Sequence, residues 1–122
     1  MAIQRTKKTD QKYKKFIAQG FLENGCGLCK KNKNELIKEF KYWKIVKNRF
    51  PWDRIAKTSH MVIPKRHVSG EKLTKIEKRE LEIIKFKYIE KEYELLAEAT
   101  TRKKSIPGHF HVHLLILKKE FR

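Results

Sequence analysis

With 122 residues, 39% of them hydrophobic, the chain is one domain's worth of protein and can bury a core without disulfide staples. Its 31 Lys and Arg against 14 Asp and Glu give a net charge of +17, which disfavours cationic partners and points to nucleotides, polyphosphates and nucleic acids, with plain solubility as the alternative use of the lysines. No apolar stretch approaches the ~20 residues of a membrane span, and the polar start Met1-Ala2-Ile3-Gln4-Arg5 has no signal-peptide core, so a cytoplasmic protein without membrane contact is expected.

In chain order, Thr9 to Gln19 predicts a short helix, with a capping residue and apolar positions at Tyr13, Phe16 and Ile17. Gly20 and Asn24-Gly25 end it, so residues 1–25 read as a basic helical extension of a single main domain over 26–122. Cys26-Gly27-Leu28-Cys29 follows as a knuckle-like turn, and in a reducing compartment cysteines at this spacing form a metal or a redox pair. Leu36 to Phe40 and Tyr42 to Lys47 predict two strands, broken from the next by Pro51. His60-Met61-Val62-Ile63 is a short strand stopped by Pro64, after which Lys65-Arg66-His67-Val68 leads through Ser69-Gly70 into a loop.

Thr74 and Glu77 form a capping box for a long helix running to about Ala97, with Leu73, Ile76, Leu81, Ile84, Tyr88 and Leu95 near one face. After the loop from Arg102 to Gly108, three of the chain's five histidines stand at alternate positions, His109, His111 and His113. Their alternation with Phe110, Val112 and Leu114, continuing to Leu117, predicts a strand with the imidazoles on one face and the apolar residues on a core. Such a row suits chemistry on an anion or a metal. The pattern as a whole predicts an α+β domain, an antiparallel sheet of four to five strands with one long helix packed on it and a short N-terminal helix.

The segment His60 to Val68, the helix behind it and the terminal His-x-His-x-His, in this order over about residues 26 to 117, resemble the histidine triad superfamily of nucleotide hydrolases and transferases. The resemblance implies a nucleotide held beside the triad and attack on its α-phosphate by the middle histidine, here His111, through a covalent nucleotidyl-histidine. His113 is then the candidate phosphate contact. A neutral imidazole supports this role, being a good nucleophile near pH 7 when an acceptor holds one ring nitrogen.

The Cys-x-x-Cys turn can place two thiolates on one Zn²⁺, leaving two tetrahedral positions. The resemblance to zinc-containing members fills them with His67 and His109, giving a structural site of Cys26, Cys29, His67 and His109. It also implies phosphate contact by His60, ribose contact by Asn48 and a phosphate-side serine at Ser105. Trp43, Phe50 and Trp52 are candidates for a base-stacking face or for core. The chain lacks the Asn-Gly and Gly-Gln-Ser segments common before the triad, so a strand there is expected to be missing or shortened.

A nucleotide or dinucleotide substrate, nucleic acid on the basic surface and a homodimer are the expected partners. The rival reading is a zinc-containing module that binds RNA or another polyanion without turnover.

Overall fold

In the computed structural model, residues 3–18, 26, 28–29, 33–100 and 108–122 are described. The strands are β1 (Leu36–Glu39), β2 (Trp43–Lys47), β3 (Ala56–Pro64), β4 (Leu95–Ala97) and β5 (Val112–Leu117), joined in one antiparallel sheet of order β1-β2-β3-β5-β4. Together with the helices this makes an α+β fold.

β3 begins earlier than the sequence predicts because Ala56, Thr58 and Ser59 find partners in Leu117, Ile116 and Leu115. Conversely β5 begins later, at Val112: the Phe110 N–H donates to the Val68 carbonyl at 2.7 Å instead of to the neighbouring strand. Gly70 lets that loop lie against the Phe110 ring, since a Cβ there would sit 3.0 Å from ring carbon Cδ1.

Strand alternation divides the core in two. Trp43, Ile45, Val62, Val112 and Leu114 face the long helix and pack with its Leu81, Ile84 and Ile89. Val46, Met61 and Ile63 face the other way, under Leu28. Both faces of β3 are therefore buried, which is why Met61, Val62 and Ile63 are apolar without interruption.

Helix α2 (Lys75–Ile84) opens on the predicted capping box, with Thr74 Oγ1 accepting the Glu77 N–H at 3.1 Å and Glu77 Oε1 accepting the Thr74 N–H at 2.9 Å. It continues through a π turn, Lys85–Ile89, and a last α turn, Glu90–Glu92. The helix does not reach Ala97. Tyr93 turns to extended backbone (φ −131°, ψ 161°), the Glu94 N–H donates to the Leu115 carbonyl at 2.8 Å, and Leu95–Ala97 pair with β5. The open edge of β5 thus takes up residues that sequence periodicity assigns to the helix, and supplies the shortened strand. Leu95 accordingly leaves the helix face, at 42% exposure, while Ile76 within α2 is 60% exposed because the helix buries Glu77, Leu81 and Ile84 instead.

Helix α1 (Lys7–Ala18) starts two residues before Thr9, because Thr6 supplies the cap: its Oγ1 accepts the Thr9 N–H at 3.3 Å. Tyr13 and Phe16 pack on Phe50, ring centroids 5.2 and 5.1 Å away. Asp53 ties the helix down, accepting from the Thr6 N–H at 2.9 Å, the Thr6 hydroxyl at 3.2 Å and the Thr9 hydroxyl. Among the described residues no helix is long and apolar enough to cross a membrane.

Candidate metal centre and histidine row

Three separate segments converge on one point. Cys26 and Cys29 come from the turn before β1, which is pinned to the sheet by the buried Leu28 between them. His67 comes from the loop after β3, and His109 from just before β5. The loop bearing His67 is fixed one residue earlier: Arg66 forks onto Glu77, Nε to Oε2 at 3.0 Å and Nη2 to Oε1 at 2.8 Å. That guanidinium, helped by the Thr74 bonds and opposed by burial, brings the Glu77 carboxyl down to about 2.

One ligand atom from each of Cys26, Cys29, His67 and His109 lies within 4.8 Å of all the others. Nδ1 of His109 is 3.3 Å from each cysteine sulfur, and Nδ1 of His67 is 3.4 Å from Cys29 Sγ. Those separations approach the ~3.5 Å edge between sulfur and nitrogen around a tetrahedral Zn²⁺. Nε2 of His109 donates its hydrogen to the Pro64 carbonyl at 3.0 Å, leaving the Nδ1 lone pair directed at the sulfurs, the outer-shell arrangement usual for a ligating histidine. Burial, with His67, His111 and Lys44 adding to it against the Pro64 bond, lowers the pKa of His109 and so favours its neutral form. Burial and the adjacent Cys26 thiol push the Cys29 thiol up to about 11, so a cation between the sulfurs would relieve a local opposition to deprotonation. The donor set fits a metal ion with four protein ligands.

The histidine row adjoins this cluster. His111 is 6% exposed, and its Nδ1–H donates to the backbone carbonyl of His109 at 3.0 Å, which fixes the tautomer carrying the in-plane lone pair on Nε2. The His111 and His113 rings meet edge to face, centroids 5.4 Å apart. His113 stacks on Trp52 at 4.2 Å, and burial, then His111 and Arg5, drive its pKa down to about 3. It is neutral at any physiological pH. The Nδ1 of His113, the indole N–H of Trp52 and the amide Nδ2 of Asn48 are buried without a hydrogen-bond partner among the described residues. Such groups are costly to bury and mark places where a ligand can complete the bonding.

Other candidates are placed differently. Asn48 directly follows β2, its N–H donating to the Ser59 carbonyl at 3.3 Å and its Oδ1 accepting the Phe50 N–H at 3.0 Å. His60 lies on the helix face, since it pairs with Leu114 while Ser59 and Met61 pair with Leu115 and His113. Its Nδ1 is 2.7 Å from the Tyr93 hydroxyl, and burial, with Lys47 adding to it, lowers its pKa. The sheet therefore separates it from the histidine row. Ser105 lies outside the described residues. Trp43 is fully buried, its indole N–H donating to the Glu77 carbonyl at 2.8 Å, and Phe50 is the seat of α1.

Ser59 and Arg5 escape the sequence reading. The Ser59 hydroxyl accepts the Trp52 N–H at 3.1 Å and so shapes the loop that carries the stacking indole. Arg5 is buried at the Phe50 end of that loop, its Nε donating to the Phe50 carbonyl at 2.9 Å and its guanidinium 4.4 Å from the Tyr13 centroid. No signal in the sequence links it to residues 45 positions away. Compared with known proteins, the chain matches no family model and no curated protein.

Proposed function

We propose that the protein is a zinc-stabilised nucleotide hydrolase or nucleotidyl transferase that works through a covalent intermediate on His111, in the manner of the histidine triad superfamily it resembles. The carrying observation is the way His111 is held. His109 uses Nδ1 for the metal cluster, Nε2–H for Pro64 and its backbone carbonyl for His111 Nδ1–H. A rigid cluster thus orients the nucleophile and selects its tautomer.

Zinc bound by Cys26, Cys29, His67 and His109 would be structural, because four protein donors close the coordination sphere. In the proposed reaction the Nε2 lone pair of His111 forms a bond to the α-phosphorus of a nucleotide conjugate. The bond from phosphorus to the leaving group breaks, and the leaving group departs with the electron pair. Positive charge on the substituted imidazole is shared through Nδ1–H with the His109 carbonyl. Water or another acceptor then attacks phosphorus, the bond from phosphorus to Nε2 breaks with its electron pair returning to Nε2, and the proton of the attacking group passes to solvent. His113, neutral and with a buried nitrogen that has no partner among the described residues, is suited to donate its ring N–H to a phosphate oxygen, and Trp52 keeps its ring in place. Asn48, whose amide hydrogens lack a partner among the described residues, is the candidate for a sugar hydroxyl.

Incubation with a panel of adenosine and guanosine phosphoramidates and dinucleoside polyphosphates, followed by intact-mass measurement, tests this. A nucleotidyl adduct or released mononucleotide is expected in the wild type and absent in His111→Ala. An adduct that survives the substitution, or no adduct and no turnover with any conjugate, overturns the proposal.

A further inference from the structure

Helix α1 places five lysines, Lys7, Lys8, Lys12, Lys14 and Lys15, on its exposed side. Its single acid, Asp10, is buried and pairs with Lys14 at 3.2 Å, and among the described residues Lys14 alone of the five has an acidic partner. This is a poor charge pattern for an isolated helix. Lys8 and Lys12, then Lys12 and Lys15, are like-charge neighbours one turn apart, and Lys7 and Lys8 stand at the positive end of the helix dipole. An anion running along the helix would turn both effects from unfavourable to favourable.

The helix is nevertheless held firmly. Asp53 receives three hydrogen bonds from Thr6 and Thr9, and although burial pushes its carboxyl up, those bonds outweigh burial and hold it below its ordinary value. Tyr13 and Phe16 fill the inward side on Phe50. Two further basic segments reach the same end of the molecule: the Arg54 N–H donates to the Gln4 carbonyl at 3.0 Å, and the Lys118 N–H donates to the Ile55 carbonyl at 2.8 Å. Lys57 and Lys119, exposed neighbours of these segments in sequence, add to the cationic residues on them.

We propose that the exposed face of α1, with the Arg54 and Lys118 segments at its base, binds the phosphate backbone of a nucleic acid strand. The 12-residue helix is ~18 Å long, enough to span several phosphates and more than a mononucleotide requires. Its outward residues are Lys7, Lys8, Gln11, Lys12, Lys14 and Lys15, with only Ala18 apolar, so there is no apolar stripe to enter a lipid surface. Its aromatic residues point inward, so contact falls on the backbone and is independent of base sequence.

The test is fluorescence anisotropy with a labelled oligothymidylate of about 20 nucleotides across a salt series. Wild-type protein is expected to bind, with affinity falling linearly in log salt. A quartet in which Lys7, Lys8, Lys12 and Lys15 become Gln is expected to weaken binding at least about tenfold and to reduce the slope by about 0.7 for every phosphate that the substituted lysines neutralise in the wild type. A second quartet, Lys72, Lys75, Lys78 and Arg79 to Gln, removes the same charge around the start of α2 and is expected to change affinity less than about threefold. Circular dichroism of both quartets should match wild type, since Tyr13, Phe16, Thr6 and Thr9 are untouched. Equal weakening by the two quartets would mean attraction by net charge alone and would overturn the assignment. So would wild-type affinity in the α1 quartet, absence of binding at about 50 mM salt, or tighter binding to phosphatidylserine vesicles with the same dependence on α1. A missing adduct at His111 leaves this expectation intact, and missing oligonucleotide binding leaves the adduct experiment intact.

Discussion

The two faces of the sheet are built from the same strands and obey different rules. On the helix face the core is Trp43, Ile45, Val62, Val112 and Leu114, and its polar groups are matched: the Trp43 indole to the Glu77 carbonyl, His60 to Tyr93. On the other face three imidazoles are buried next to Val46, Met61 and Ile63, and three nitrogens, in Asn48, Trp52 and His113, find no partner among the described residues. On one face the core is packed and the named polar groups are matched. The other leaves its three nitrogens unmatched among the described residues, which is where function is expected to concentrate.

Substitutions and pH should separate the faces. The largest effect is expected from Cys29→Ser or from chelation, which frees the turn holding Leu28 and loosens His109: stability should fall on the order of 3–5 kcal/mol, roughly 10–20 °C in melting temperature. A melt in chelator that superimposes on the zinc-loaded one would mean that no metal holds the turn. A smaller effect belongs to the helix face. Glu77, at about 2 in the folded protein against 4.5 ordinarily, binds fewer protons folded than unfolded, so its contribution is present above about pH 4.5 and lost as pH falls toward 2. With Arg66 largely exposed and open to solvent screening, the pair's contribution is modest beside that of the metal turn. Glu77→Gln should therefore lower stability at pH 7 and flatten the acid limb of denaturation measured by urea titration at successive pH values. Smallest is His113→Phe, which removes an unmatched buried nitrogen and keeps the stack on Trp52. It should raise stability by about 0.5–1 kcal/mol while reducing adduct yield at His111. A loss of stability in that variant would erase the contrast between the faces.

Much of this was readable in the chain, for local reasons. The capping box at Thr74 and Glu77 is a contact between residues three apart, and the alternation from Phe110 to Leu114 sends its apolar members to the helix face. The four residues of the metal cluster are brought together by three segments whose motifs are individually visible. What was not readable depended on partners far away. Leu95 keeps phase with the helix and no Gly or Pro precedes it, so only the open edge of β5 reveals that the segment is a strand. Met61, Val62 and Ile63 are apolar on both faces, so alternation could not decide whether His60 or Ser59 shares a side with His113. The hold of Asp53 on Thr6 and Thr9 spans 47 and 44 positions and leaves no local pattern.

The π turn in the long helix can be considered as a matter of angular phase. On a regular α-helix, at about 100° per residue, Ile84 and Ile89 would stand about 140° apart, yet both are almost completely buried on the sheet, at 2% and 0% exposure. The wider π turn, with fewer degrees per residue, brings them nearer to one side and Tyr93 round to His60. A chain one residue shorter between Lys85 and Tyr88 would reach the same alignment as an unbroken α-helix. Chain length can change there while the packing stays fixed.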